Sequence, residues 1–219
     1  MPDGSTPILS KSSFLNGCQC PKQLWMKFHD RESFPPVDAQ QQAIFDQGHL
    51  IGSLAKTLFP GGIEVAEGRI SYAESLAATE PALLERRPLY EAAFAFNGGF
   101  IRVDILNPVG VDAWEIIEVK SGTKVKDVNL LDVAFQKYVC EGAGLTIDRC
   151  HLMHVNSDYV RFGEIVAGEL LHQEDVTEEI EPFLAEVPAR LEELKLSAAA
   201  DQCPDVQIGP HCNSPYECP

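Results

Sequence analysis

The chain has 219 residues, and its 33 acidic and 17 basic side chains give a net charge of -16 at pH 7. That charge repels nucleic acid and argues against a non-specific DNA coat, but it permits an enzyme with a local basic strip. No apolar run reaches the roughly 20 residues that a membrane span needs. The N-terminus, MPDGSTPILSKSS, lacks the pattern of a signal peptide, so we expect a cytoplasmic protein without a membrane partner.

The first part of the chain predicts helices that end at proline and glycine. Apolar residues recur at helical spacing in the longest of them, at Ile44, Ile51, Ala55 and Leu58. The predicted elements are, in order, a helical segment at 10–28 interrupted around Gly17 to Pro21, a helix at 39–59, a strand at 62–66 and a helix at 72–85.

The rest of the chain adds strands and two long helices. The sequence NGG at 97–99 indicates a tight turn between the first two strands, and Asp175 or Thr177 can cap the last helix. The predicted elements are strands at 89–96, 100–106 and 113–119, a helix at 127–142, strands at 150–156 and 159–162, and a helix reaching 198. This order predicts an α/β protein with a central mixed sheet flanked by helices.

The segment WEIIEVKSGTK, residues 114–124, carries an acid and a base at alternate positions of an apolar strand. Glu118 and Lys120 therefore point to the same face. Asp104 lies near the end of the preceding strand, and antiparallel pairing would bring it to Glu118. Two carboxylates a few ångström apart repel each other unless a cation lies between them, and Mg²⁺ or Mn²⁺ prefers such oxygen ligands. Lys120 can orient or deprotonate a water, or stabilise charge on a phosphate.

This Asp…Glu-x-Lys pattern resembles the PD-(D/E)XK, or restriction-endonuclease-like, nuclease fold, with Val103-Asp104 in place of the usual Pro-Asp. The resemblance implies that Asp104, Glu118 and Lys120 are catalytic, and that the first two bind the metal with help from the Val119 carbonyl. Gly48-His49 precedes the sheet at the place where RecB-like nucleases carry a histidine ligand, so His49 is either that ligand or a solvated helix residue. Glu91 is either a second-metal carboxylate or an ordinary strand residue.

The helix after the lysine carries DVAFQKY, which is similar to the segment where the RecB branch places substrate contacts. Gln136 and Tyr138 are the candidates, and Asp132 shares a helical face with Gln136. Tyr138 also fits the apolar stripe of that helix, which favours core packing. Lys124, a base that follows the motif, is the third predicted substrate-binding residue.

Seven cysteines without an export signal do not predict a disulfide framework. An N-terminal Cys-Pro at Cys20 followed much later by Cys203, Cys212 and Cys218 resembles the iron–sulfur branch of RecB-like nucleases, which includes the CRISPR adaptation exonuclease and the AddB nuclease domain. The resemblance implies a [4Fe–4S] cluster on these four thiolates, with zinc as the alternative metal. Segments 8–35 and 199–219 would then form a Cys-rich clasp around a catalytic core at 39–198, within a single nuclease domain at 1–219.

We therefore expect a metal-dependent deoxyribonuclease, an exonuclease on single-stranded DNA or on DNA ends, with Mn²⁺ or Mg²⁺ as its cofactor. The resemblance also implies protein partners in CRISPR adaptation, recombination or defence. The alternative is a DNA-binding or assembly module that keeps the fold without catalysis. The acidic charge of the chain suits such a module, whereas clustered acids that repel phosphate argue against it.

Overall fold

The computed structural model describes residues 7–65, 68 and 70–218. Strands are β1 (Leu9–Ser10), β2 (Ile63–Glu64), β3 (Leu89–Phe96), β4 (Gly99–Val109), β5 (Ala113–Lys120), β6 (Thr146–Val155) and β7 (Leu171–Asp175). Helices are α1 (Lys11–Gln19), α2 (Pro21–His29), α3 (Ala39–Lys56), α4 (Tyr72–Leu84), α5 (Asp127–Gly142), α6 (Ala167–Leu170) and α7 (Glu181–Ala199). None of the helices described is both long and apolar enough to cross a membrane.

The strands form one mixed sheet in the order β2-β3-β4-β5-β6-β7, and β1 pairs with β4 outside this path. The pairs β3–β4, β4–β5 and β6–β7 are antiparallel, whereas β2–β3 and β5–β6 are parallel. Helices α1, α5 and α7 pack on one face, where the rings of Phe14 and Phe135 stack at 4.2 Å. Helix α3 covers the other face through Ile51 and Ala55. The predicted α/β class with a central mixed sheet flanked by helices is confirmed.

One edge of β4 is shared by two strands, and this sharing creates the candidate site. β3 pairs along the other edge from Gly99 to Leu106. On the shared edge, β1 pairs in parallel at Gly99 and Phe100, and β5 pairs antiparallel from Ile105 to Val109. β1 and β5 therefore run toward each other and end beside residues 101–104. The carboxyl ends of both strands meet at this gap, so the residues that follow them come together there.

The alternation of side chains along β3 and β4 is interrupted beside the same gap. Ala92 and Val103 pack in the core under α5, whereas Tyr90 and Ile105, two positions away on each strand, pack in the core under α3. In a regular strand, residues two apart share a face. The interruption lies between them, at Glu91 and Asp104, and Glu91 has a φ of 57°, in the left-handed region that non-glycine residues rarely adopt.

Several predicted elements lie where the sequence placed them. β3 and α5 have their predicted bounds, α1 and α2 meet at Cys20, and the turn between β3 and β4 has positive φ angles at Asn97 and Gly98. The strand predicted at 62–66 is found at Ile63–Glu64, and residue 66 lies outside the described residues.

Other predictions are wrong for physical reasons. Residues 159–162 form no strand, and the exposed Phe162 packs against no core. The missed strand β7 has the sequence LHQED, whose single apolar residue gives no alternation to detect. Helix α7 begins at Glu181 without a side-chain cap, because the Asp175 carboxylate accepts hydrogen bonds from Thr177 in the turn before it. Helix α3 ends at Lys56, and Ile44 on its predicted stripe is 54% exposed.

Candidate active site

Glu118 is the centre of the site and is almost completely buried, at 2% exposure. The ammonium of Lys120 donates to its Oε1 at 2.7 Å, and the Gln136 amide donates to its Oε2 at 2.7 Å. Burial alone would raise the pKa of Glu118, but Lys11 and Lys120 outweigh it and hold that pKa below its usual range. Glu118 is therefore a buried, ionised carboxylate with a fixed orientation.

Lys11 enters the site from the other side of the gap. It is the first residue of α1, directly after β1, and its Nζ lies 2.9 Å from both carboxylate oxygens of Glu118. The same Nζ is 3.9 Å from Asp104 Oδ1 and 4.0 Å from Asp132 Oδ1. Burial alone would lower the pKa of Lys11, but the three carboxylates around it raise that pKa. Sequence reasoning missed Lys11 because 107 residues separate it from Glu118.

Helix α5 supplies the polar groups that hold Lys120 and Glu118 in place. Lys120 donates to Asp132 Oδ2 at 2.6 Å, and Gln136 donates to Asp132 Oδ1 at 3.0 Å. Asp132 and Gln136 share one face of α5 because they are four residues apart. The sequence showed this shared face but did not assign Asp132 a role. Burial raises the pKa of Asp132, and the nearby Glu118 adds to the effect.

Asp104 lies where β5 leaves β4. Its Oδ2 accepts the backbone N–H of Val119 at 2.8 Å, so the side chain replaces the backbone partner that β5 loses at the gap. Burial, with Glu118 close by, raises the pKa of Asp104 to about 7. The predicted convergence of Asp104 and Glu118 is thus present, and the Lys11 ammonium lies within 4 Å of both.

A cavity of about 430 Å³ opens beside these carboxylates. Its lining includes His49 and Gly48 from α3, together with Asp104, Glu118 and Val119. Glu91 also lines it, and burial raises the pKa of Glu91. The structure therefore brings His49 and Glu91, both ambiguous from sequence, to the same cavity as the two acids.

The donor chemistry of the site suits a hard divalent cation. Asp104 and Glu118 offer carboxylate oxygens, Val119 a carbonyl and His49 an imidazole, and the Lys11 ammonium already brings positive charge between the two acids. Within the described residues, no three His, Cys, Asp or Glu side chains are arranged to hold a metal ion as they stand. A cation bound by Asp104 and Glu118 would therefore replace the Lys11 ammonium.

Two predicted substrate-binding residues lie apart from this centre. The Tyr138 hydroxyl accepts a hydrogen bond from Asn97, and its ring packs edge-on against Phe96 at 5.4 Å. Tyr138 thus has the packing role that its place on the apolar stripe favoured. Lys124 is exposed in the loop after β5. Gln136, the third predicted substrate-binding residue, does contact the site, through Glu118 and Asp132.

The four cysteines of the predicted clasp are only partly assembled. Cys20 is buried, and it lines a cavity of about 210 Å³ together with Cys212 and Cys218. Cys203 is exposed. Gln19 at the end of α1 donates to the carbonyls of His211 and Tyr216, at 2.8 and 2.7 Å. The tail is therefore attached to the N-terminal helices, and three thiols face one space.

The chain is similar to several solved structures, of which three are described below, although no family model and no curated protein matches it. SSO0001 has a TM-score of 0.44 and 9% identity, over 90% of this chain and 86% of that one. LHK-Exo in complex with dAMP has a TM-score of 0.40 and 14% identity, over 87% of this chain and 93% of that one. The alkaline exonuclease LHK-Exo from Laribacter hongkongensis gives a TM-score of 0.28 and 14% identity, over 86% and 98%. TM-scores this low do not assign the chain a function.

Proposed function

We propose that the protein is a divalent-metal-dependent nuclease that hydrolyses phosphodiester bonds of DNA, acting as an exonuclease on single strands or ends. The observation that carries the proposal is the cluster of Asp104, Glu118 and Lys120 at the gap in the sheet, with α5 fixing the orientation of Glu118 and Lys120. A buried group of acids and lysines beside an open cavity suits phosphate chemistry better than simple packing, since burying charges is costly.

Asp104, Glu118, the Val119 carbonyl and His49 are the groups that would hold Mg²⁺ or Mn²⁺. A bound cation would supply Lewis-acid activation of the phosphate and of water. The remaining residues position these groups. Lys120 donates charge-assisted hydrogen bonds to Glu118 and Asp132 and can stabilise negative charge on a phosphate oxygen. Asp132 and Gln136 hold Lys120 and Glu118 against each other.

The proposal is tested with purified protein and end-labelled DNA, single-stranded and blunt duplex, in Mn²⁺, Mg²⁺ or EDTA. We expect loss of label from single strands with either metal and no loss in EDTA. A protein that binds DNA but leaves it intact under every metal condition would instead be the non-catalytic DNA-binding module.

Replacing His49 tests the nitrogen ligand. Imidazole is softer than carboxylate and favours Mn²⁺ over Mg²⁺, so we expect the parent to be more active with Mn²⁺ and His49→Ala to narrow the ratio of the two rates. The exposed His172 on β7 provides the control, because His172→Ala should leave the ratio unchanged. Equal rates with both metals, in the parent and in His49→Ala, would show that His49 is a surface residue and does not bind the metal.

We further propose that Cys20, Cys203, Cys212 and Cys218 bind a structural [4Fe–4S] cluster, with Zn²⁺ as the alternative. Three of these thiols line one cavity, and the cluster requires the exposed Cys203 to move into it. The tail has little regular structure of its own, so a four-thiolate centre would supply much of the free energy that orders it. The spacings of eight and five residues between the last three cysteines differ from the short knuckles of structural zinc sites.

The absorption spectrum of anaerobically purified protein tests the cluster. We expect a brown protein with broad visible absorption, which Cys203→Ala loses. Cys18→Ala should keep the colour, because the Cys18 thiol lines a different cavity, beside Arg190. A colourless protein that contains one zinc per chain would show that the four cysteines bind zinc instead of an iron–sulfur cluster, and the clasp would still hold.

A further inference from the structure

A second cavity, of about 730 Å³, adjoins the candidate active site. It shares Glu91 and Asp104 with the cavity that contains His49. The rest of its lining differs and comes from the end of β1 and the start of α1, from the start of α4 and the residues just before it, and from the first half of β4. We call it the α4 groove; the residues used below are Lys11, Ser12, Tyr72, Phe100 and Arg102. Asp104, one of the two acids that would hold the metal, thus lies where the two cavities adjoin, and Glu118 lines the smaller one.

Tyr72 and Phe100 form an aromatic platform in the α4 groove. Their rings are stacked, with centroids 3.9 Å apart and an interplanar angle of 15°. Phe100 is 4% exposed and lies beneath, whereas Tyr72 is 44% exposed. One face of the Tyr72 ring is therefore covered by Phe100, and among the described residues the opposite face is the one that remains exposed. A rigid aromatic ring with one open face is the surface on which an unpaired nucleobase stacks.

Positive groups border the same groove in an otherwise acidic protein. Arg102 lines it, and Arg102 Nε is buried without a hydrogen-bond partner among the described residues. Lys11 also lines it, but its charge is already balanced by the carboxylates of Glu118, Asp104 and Asp132. Lys27 extends the basic strip from α2, since its ammonium donates to Ser12 Oγ at 3.3 Å. A chain with a net charge of -16 repels phosphates over most of its surface, so this local set of bases marks where a polyanion can approach.

We propose that the α4 groove binds single-stranded DNA and leads it to Asp104 and Glu118, with one base stacked on Tyr72 and phosphates beside Arg102 and Lys27. The inference rests on the proposed nuclease function and specifies its substrate. Duplex DNA is disfavoured because the faces of its bases are already stacked on their neighbours. The platform therefore selects unpaired DNA by shape rather than by sequence.

Binding and stacking are measured separately from cleavage. A single-stranded oligonucleotide that contains 2-aminopurine is titrated in EDTA, where cleavage does not compete, with anisotropy reporting binding and fluorescence quenching reporting stacking. We expect Tyr72→Leu to weaken single-strand binding by about fivefold to a hundredfold and to lose the quenching. Leucine keeps Phe100 covered, so Phe100 does not become a substitute platform. Tyr72→Phe should retain both signals.

Phe162→Leu is the matched control, because Phe162 is 87% exposed and outside the groove. It should bind and quench like the parent. Unchanged binding and quenching in Tyr72→Leu would refute the proposal that the α4 groove binds single-stranded DNA, while leaving the nuclease proposal intact. Tyr72-dependent binding by a protein that cleaves no DNA with any metal would support the groove and refute the nuclease. Absence of any binding to single strands would overturn the groove as well.

Discussion

Glu118→Gln should reduce DNA cleavage by at least about a hundredfold, as expected for loss of a group that orders charge at the reacting centre. The substitution keeps the shape of the side chain but removes its charge. Glu118 receives hydrogen bonds from Lys11, Lys120 and Gln136 at 2.7–2.9 Å. A neutral amide cannot serve as an anionic ligand, and its NH₂ group would face an ammonium. The measurement is the initial rate on labelled single-stranded DNA with Mn²⁺.

Two further variants separate chemistry from folding. Glu115→Gln changes the same residue type on β5, three positions earlier, where the carboxylate lies near Asn107 and His151; it should cleave like the parent. Asp104→Asn should lose activity as Glu118→Gln does, with a smaller effect on folding because Asp104 is less buried than Glu118. Parental rates in Glu118→Gln would refute the assignment of the site.

Lys11→Met should lower the free energy of unfolding by about 3 kcal/mol in EDTA, because removal of one partner leaves a buried charge uncompensated. For a chain of this size, the loss corresponds to a drop in melting temperature of about 6–12 °C. Mn²⁺ should restore more stability to this variant than it adds to the parent, since the cation would replace the missing ammonium between Asp104 and Glu118. Thermal melts in EDTA and in Mn²⁺ measure both effects.

Lys124→Met is the control for Lys11→Met. It removes the same charge from an exposed loop position, so its melting temperature should stay near that of the parent in both conditions. Identical melting of Lys11→Met and the parent in EDTA would show that the ammonium contributes little to the apo protein. If Mn²⁺ raised the melting temperature of Lys11→Met and of the parent by the same amount, the cation would not occupy the position of the Lys11 ammonium.

The sequence predicted the parts of the site that depend on local periodicity. Glu118 and Lys120 share a face because they are two apart on a strand, and Asp132 and Gln136 share a face because they are four apart on a helix. Antiparallel pairing of β4 with β5 then brings Asp104 near Glu118. These relations follow from regular geometry, which short apolar patterns specify.

What the sequence did not predict depends on long-range packing. The contact between Lys11 and Glu118 follows from β1 pairing on the same edge of β4 as β5, and a two-residue strand has no recognisable pattern. The positive φ of Glu91 could not be predicted from the sequence either, because the segment LYEAAF has the pattern of a regular strand. The interrupted alternation there turns Glu91 and Asp104 toward the cavities, so irregularity rather than periodicity completes the site.

Helix α1 lies between the acidic site and the cysteine-rich tail. Its first residue, Lys11, neutralises Glu118, and its last residue, Gln19, holds the carbonyls of the cysteine-rich tail. Nine residues of helix span only about 13 Å, and Cys20 follows at once. A change in the tail, such as loss of the proposed cluster, would therefore act on the same short helix that positions the Lys11 ammonium. The acidic site and the cysteine-rich tail are therefore mechanically linked through one helix, although they lie at opposite ends of it.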